Sequence, residues 1–160
     1  MAYPEADALN QVSEFHRLFQ HPVGEVPRLP DASRCDLRVN LLQEELRELQ
    51  EALAQGNLVE AADALCDLQY VLSGAIHELG LGSVFADLFA EVHRSNMSKA
   101  CRTVAEAEAT VAHYRDLHNT ECYYEQVGDL YLVYRLSDRK TLKSVAYSPA
   151  DLASRLPQQG

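Results

Sequence analysis

The sequence predicts a mainly α-helical fold: an antiparallel helical bundle that carries a small C-terminal antiparallel β hairpin or meander. Apolar residues recur at helical spacing, between residue types that start and stop helices, from about residue 5 to 118. After Asn119 the pattern changes to short Tyr-, Val- and Leu-rich stretches separated by turns. We therefore expect one domain over residues 1–160, with a helical core over about 5–118 and a β appendage and terminal helix over about 122–156.

Five helices are predicted from apolar spacing and from capping residues. The first covers about residues 5–19, and a Pro- and Gly-rich loop follows it at 21–30. The expected caps, in chain order, are Asp31 and Gly56 for the second helix, Asn57 and Gly80 for the third, Ser83 for the fourth and Thr103 for the fifth, which runs to about His118.

The C-terminal part is predicted to be β structure. Residues 122–127, 130–136 and 141–147 are rich in Tyr, Val and Leu, and turn-forming residues separate them at 128–129 and 137–140. Pro149 is suited to the first position of a short last helix that begins at about residue 148.

Composition narrows the classes of protein to consider. The 160 residues are 47% apolar, which is enough for a domain with a core. The 24 acidic and 14 basic residues give a formal net charge of −10, which argues against binding to nucleic acid. We expect no membrane association, because no apolar run approaches the ~20 residues of a span and no signal-peptide pattern is present. Four widely spaced cysteines without a CxxC pair favour reduced thiols in the cytoplasm.

Two acidic sets stand out on neighbouring helices. The second helix carries Glu44, Glu45 and Glu48 at i, i+1 and i+4, and the third carries Glu60, Asp63 and Asp67 at i, i+3 and i+7. If the helices pack antiparallel, the sets can face each other, and crowded carboxylates repel unless cations lie between them. A solvated face is the alternative, but the third-helix set has no Lys or Arg partner at i+4. Hard oxygen ligands suit Mg²⁺ or Mn²⁺.

The second helix is also apolar on two sides. A core stripe is predicted from Leu42, Leu46, Leu49 and Leu53. Leu37 and Leu41 lie beside the carboxylates instead, which suggests a subunit interface. On the first helix, Phe15 and His16 precede the Pro/Gly loop; a core Phe and a surface His are favoured there over a base-binding pocket.

The acidic spacing resembles a known signature. Glu44-Glu45-x-x-Glu48 followed by Glu60-x-x-Asp63 is similar to the paired helices of the all-α nucleoside triphosphate pyrophosphohydrolases, which include MazG-like enzymes, dimeric dUTPases and phosphoribosyl-ATP pyrophosphohydrolase. Residues 63–74, 89–99, 138–143 and 147–151 resemble further segments of the MazG-like, phosphoribosyl-ATP-pyrophosphohydrolase-like group. Arg139 stands where relatives often have glycine. The resemblance covers about residues 14–152 and implies a MazG-like bundle.

The resemblance also implies an activity and a site. The expected reaction is metal-dependent hydrolysis of a nucleoside triphosphate at the α–β phosphoanhydride, which yields a nucleoside monophosphate and pyrophosphate. Two or three Mg²⁺ (or Mn²⁺) ions are implied, with candidate ligands Glu44, Glu45, Glu48, Glu60, Asp63 and Asp67. Either Asp63 or Asp67 is the main aspartate ligand. Glu45 is the candidate base, with Glu44 beside it as a second catalytic residue. The candidate phosphate-binding residues are Asn96, Lys99, Lys140, Lys143 and, more weakly, Arg94.

Three functions therefore stay open. The leading one is a nucleotide-pool pyrophosphohydrolase, expected to be a homodimer or a higher homo-oligomer. The second is hydrolysis of phosphoribosyl-ATP. The third is a non-catalytic helical interaction module whose acidic groove binds a basic partner. The sequence does not name the preferred base or sugar.

Overall fold

The computed structural model of the chain describes residues 3–157 and confirms the mainly α-helical class. The chain forms two compact units, which divide in sequence between Phe85 and Ala86. Within residues 3–157, no helix has the length and apolar character needed to cross a membrane.

The first unit contains three helices: α1 (Ala8–Leu18), α2 (Ala32–Gln55) and α3 (Leu58–Glu78). The predicted caps of α2 and α3 are confirmed. The Asp31 side chain accepts a hydrogen bond from the backbone N–H of Arg34 (3.0 Å), and the Asn57 side chain caps α3. Gly56 ends α2 with a φ of 66°, a left-handed conformation that glycine adopts without strain.

The α2 and α3 helices are antiparallel neighbours, because Arg34 in the first turn of α2 pairs with Glu78 in the last turn of α3. Small and medium apolar side chains fill the core: Val12, Ala52, Ala61, Ala64, Ala75 and Ile76 are buried. The predicted leucine stripe of α2 is wrong in part, since Leu46 is 48% exposed and Leu53 is 64% exposed. The α2 helix is rotated so that Arg38 and Glu45, rather than Leu46, lie on its more buried side.

The second unit contains α4 (Phe85–Met97), α5 (Val104–His118) and a hairpin of β1 (Cys122–Val127) and β2 (Leu130–Arg135). The strands pair antiparallel with Tyr124 opposite Val133. The core of this unit is formed by Cys101, Ala107, Val133 and Leu142, with Val111, Tyr114, Cys122, Tyr124 and Tyr131 packed around it. The hairpin therefore packs on α5.

Of the two predicted forms of the C-terminal β structure, the hairpin is confirmed and the meander is absent from the described residues, and the predicted last helix is wrong. Residues 141–147 form no third strand; a single bridge joins Thr141 to Tyr134. The segment instead hydrogen-bonds to side chains of α5, which leaves its backbone groups satisfied without a ladder. The last helix is reduced to a 3₁₀ turn at Ala153–Arg155.

Candidate active site

Glu45 occupies the centre of the candidate site. It is half-buried on α2, while Glu44 and Glu48 on either side of it are exposed. Burial raises the pKa of Glu45 above its ordinary value, and so do the charges of Asp67, Glu48, Glu44 and Asp63, in that order. Two of these charges, those of Asp67 and Asp63, come from α3.

The α3 carboxylates differ in how strongly they raise the pKa of Glu45. Asp67 raises the pKa of Glu45 more than the neighbouring Glu48 does, and Asp63 contributes less. Glu60, in the first turn of α3, is not among the charges that raise this pKa most. Both aspartates are exposed and thus open to a ligand. Asp67 is therefore the α3 carboxylate most closely coupled to Glu45.

The opposite end of the α2–α3 pair carries compensated charge. The carboxylate of Glu78 is almost fully buried and accepts hydrogen bonds from the guanidinium groups of Arg34 and Arg38. Burial by itself would raise the pKa of Glu78, but the bonds and charges of the two arginines outweigh it, so the pKa lies below its usual range. Neither arginine was singled out from the sequence, because their partner lies 40 or more residues away.

Gly74 and α1 fill the space between these two ends. A Cβ at Gly74 would lie 2.8 Å from Nη1 of Arg38 and 2.9 Å from Nε2 of His16, so both side chains need a glycine there. The predicted surface position of His16 is wrong: it is 3% exposed. Its Nδ1 lies 2.9 Å from the carbonyl oxygen of Pro22 and must donate to it. Burial lowers the pKa of His16, so the ring is neutral at pH 7.

Aromatic side chains continue the acidic face of α3 toward α1. Tyr70 follows Asp67 by three residues, and its ring meets Phe15 edge-on at 5.5 Å between centroids. The ring of His21 stacks on Phe15 at 5.7 Å, and Phe19 packs on it at 4.4 Å. Phe15 is half-buried, whereas Phe19, His21 and Tyr70 are exposed. These rings present π faces suited to stacking with a planar base.

The donor set fits a hard divalent cation. It consists of carboxylate oxygens alone, and the raised pKa of Glu45 shows that their negative charges are uncompensated. Within residues 3–157, however, no group of three or more His, Cys, Asp or Glu side chains is close enough to form a ready-made cage.

In the second unit, the α4 candidates have two different environments. The Nζ of Lys99 donates to the side-chain oxygen of Asn96 at 2.7 Å, so these two polar groups lie together at the end of α4. Arg94 instead donates two bonds to Glu91, at 2.8 and 2.9 Å. Hydrogen bonds from Arg94 and from the backbone N–H of Asp151 lower the pKa of Glu91 to about 2. Arg94 therefore helps to anchor the C-terminal segment.

The two C-terminal lysines follow an unusual turn in the chain. Arg139 adopts a φ of 57°, the left-handed conformation that the glycine of relatives would adopt more easily. Its guanidinium pairs with Glu125 at 2.9 Å, and the turn places Lys140 next to Asp138 through a 3.1 Å backbone bond. Lys143 lies beyond the turn, with its Nζ 4.4 Å from the centroid of the Tyr147 ring.

Comparison with known proteins gives two matches. A family model described as phosphoribosyl-ATP pyrophosphohydrolase matches residues 12–96, which span α2, α3 and α4 and include all six candidate metal ligands. An uncharacterised protein of Acanthamoeba polyphaga mimivirus is 24% identical over 223 aligned positions, which cover 83% of this chain and 89% of that protein.

Proposed function

This chain belongs to the phosphoribosyl-ATP pyrophosphohydrolase family, and from that premise we propose that it hydrolyses nucleoside triphosphates between the α and β phosphates. The products are a nucleoside monophosphate and pyrophosphate, and the role is removal of unwanted nucleotides from the pool. The pyrophosphohydrolase class follows from the family itself; the substrate, the metal and the residue roles are the proposal.

One observation supports this assignment most strongly: four carboxylates surround Glu45 without a basic partner that lowers its pKa. A helix pair evolved for stability alone would place Lys or Arg there, as it does at Glu78. The uncompensated charge indicates a site that awaits a cationic ligand.

The α2 and α3 carboxylates have different roles in the proposed reaction. Glu44, Glu45, Glu48 and Asp67 would hold Mg²⁺, with Asp63 and Glu60 as further candidate ligands. The cation would neutralise phosphate charge and make a water molecule easier to deprotonate. Glu45 accepts the proton of that water as its oxygen attacks phosphorus and the bond to the bridging oxygen breaks. Glu44, next to Glu45 in the sequence, adds to the negative charge around the proposed base.

The phosphate-binding residues are a separate part of the proposal. The amide of Asn96 and the ammonium groups of Lys99, Lys140 and Lys143 supply N–H donors to anionic oxygens. Arg94 has a smaller share, because its Nε and one terminal nitrogen are already bonded to Glu91.

Phosphoribosyl-ATP is the second candidate substrate. The description of the matching family favours it, and it contains the same α–β phosphoanhydride. The carboxylate chemistry is therefore shared, and the difference lies in the group attached to the base.

We also propose that the protein is a homo-oligomer in the cytoplasm. Apolar side chains on α2 and α3 remain exposed within one chain: Leu46, Leu53, Leu65 and Leu72 are between 42% and 64% exposed. A second copy would cover them, since soluble proteins seldom leave such a surface open. Cys35, Cys66, Cys101 and Cys122 are free thiols, which suits a reducing compartment.

A substrate panel tests the proposal. The protein is incubated with Mg²⁺ and each of the common NTPs, dNTPs and phosphoribosyl-ATP, and pyrophosphate and orthophosphate are measured separately. We expect pyrophosphate from at least one nucleoside triphosphate. Turnover of phosphoribosyl-ATP alone would select the second candidate. Release of orthophosphate only would contradict the cleavage site, and no turnover of any compound would favour the interaction module.

A further inference from the structure

The face of α5 that packs against residues 143–145 holds this segment at three points one helical turn apart. The contacts are Glu106 with the Ser144 hydroxyl, Thr110 Oγ1 with the Val145 N–H (3.1 Å) and Tyr114 hydroxyl with the Lys143 N–H (3.2 Å). Positions 106, 110 and 114 share one helix face. These contacts with α5 therefore fix the backbone position of Lys143.

The far end of the Lys143 side chain is also held. Its Nζ lies 4.4 Å from the centroid of the Tyr147 ring, a cation–π contact. The Tyr147 hydroxyl in turn hydrogen-bonds to the buried Ser95 at 2.9 Å. An ammonium that is held in this way loses less conformational entropy when it binds an anion than a free surface lysine does.

One imidazole of α5 lines a cavity together with this lysine, and a second imidazole lies next to the first. A cavity of about 350 Å³ is lined by His113, Tyr114, Lys143, Ser144, Val145 and Tyr147. The His113 ring packs edge-on against Tyr114 at 5.5 Å, and the His118 ring lies 5.3 Å from His113. The sequence spacing of five residues gave no reason to group these histidines. The helix nevertheless brings their rings together.

The chemistry of this group favours an anion. Its lining contains an ammonium, an imidazole and phenol hydroxyls, and no carboxylate. An imidazole donates at least one N–H whether neutral or charged, and a lysine donates three. Such donors are suited to phosphate oxygens, and the volume lies in the range of small-molecule pockets.

We propose that Lys143 and His113, with His118 beside His113, form a binding site for a di- or triphosphate chain such as that of a nucleotide. The inference rests on the proposed function for the identity of the ligand. The site itself requires only that the cluster binds a di- or triphosphate.

Inorganic pyrophosphate is the probe, titrated calorimetrically into the full-length protein with EDTA present so that the carboxylates hold no metal. We expect His113→Ala to weaken binding about fivefold, the value of one modest charge-assisted contact. His93→Ala, an exposed histidine in the same unit but outside the cluster, is the matched control and should bind as the wild type does. His113→Lys, which keeps a cationic donor, should restore binding.

A second measurement uses the wild-type protein alone, so that it does not depend on the folding of a variant. In the wild-type protein, pyrophosphate should shift the imidazole proton resonances of His113 and His118 and leave those of His93 in place. Equal affinity in His113→Ala and His93→Ala, or no binding by the wild type, would overturn the site.

The outcomes separate this inference from the proposed function. If pyrophosphate binding depends on His113 but the protein hydrolyses no nucleotide, the proposed site stands and the proposed function is wrong. If the protein hydrolyses nucleotides but His113→Ala changes neither the KM nor the pyrophosphate affinity, the proposed function stands and the proposed site is wrong.

Discussion

The two ends of the α2–α3 pair put glutamates of the same helix hairpin into opposite surroundings. Glu78 is buried against Arg34 and Arg38, and its pKa lies below the ordinary value. Glu45 faces carboxylates from both helices, and its pKa lies above that value. The charges around Glu78 therefore stabilise the folded state, and those around Glu45 destabilise it. Proteins retain such local losses mainly at functional sites, and this is why we place the chemistry at the Glu45 end.

Glu45→Gln should have the largest effect. It removes the candidate base and a ligand charge, so kcat/KM for the best nucleotide should fall about 10³-fold, roughly 4 kcal/mol. The measurement is pyrophosphate release. Glu51→Gln is the control: Glu51 lies on the same helix, exposed and only loosely paired with Arg47, and activity should stay within about twofold. Equal losses in both variants would contradict the special position of Glu45.

Glu78→Gln breaks the compensated end instead. It leaves two partly buried arginines without their counter-charge, so the free energy of unfolding should fall by about 3 kcal/mol. Urea denaturation measures this change. Glu51→Gln again serves for comparison and should change stability by less than about 0.5 kcal/mol. An unchanged midpoint in Glu78→Gln would mean that the buried pair does not support the hairpin.

Substitution of Asp67 and of Asp63 compares the two α3 aspartates near Glu45. Asp67 affects Glu45 more strongly, so Asp67→Asn should lower kcat/KM about 10²-fold, near 2.7 kcal/mol, and Asp63→Asn by about tenfold. Steady-state kinetics at several Mg²⁺ concentrations measures both. The reverse order would make Asp63 the main aspartate ligand.

The two ends should also respond to acid with opposite signs. The folded-state pKa of Glu78 is lowered, so its contribution to stability is present above the unfolded-state pKa and disappears as pH falls through the folded value. The folded-state pKa of Glu45 is raised, so its destabilising effect is present above that pKa and is relieved as pH falls. Urea midpoints from pH 7 to pH 4, in EDTA, measure these effects.

In that experiment Glu78→Gln should be less stable than the wild type at pH 7, and Glu45→Gln should be no less stable. Both differences should shrink toward pH 4. A Glu45→Gln variant that loses stability at pH 7 would show that Glu45 is a structural residue.

Local chemistry explains which predictions were correct. Asp31, Asn57 and Thr103 cap helices through bonds to residues two or three positions away, and such spacing is legible in a sequence. The antiparallel hairpin of α2 and α3 follows from the short turn at Gly56. The facing of the two acidic sets follows from these local features, since side chains repeat every 3.6 residues along a helix.

Non-local contacts explain the errors. The rotation of α2 about its axis is set partly by Glu78, whose arginine partners lie 40 and 44 residues away, and it exposes Leu46 and Leu53. His16 is buried because a loop carbonyl, that of Pro22, accepts its Nδ1 hydrogen. Residues 141–147 form no third strand, and the amides of Lys143 and Val145 donate to side chains of α5.

Binding of Mg²⁺ followed by thermal unfolding tests the central claim most directly. Wild type, Glu45→Gln and Glu78→Gln are heated with EDTA and with Mg²⁺ at about ten times the dissociation constant, which stabilises a protein with one site by about 1.4 kcal/mol. We predict that Tm rises in the wild type and by a similar amount in Glu78→Gln, from its lower baseline, and that it does not rise in Glu45→Gln. A Mg²⁺-dependent rise of equal size in Glu45→Gln would contradict the assignment of the metal site to the acidic end of the α2–α3 pair.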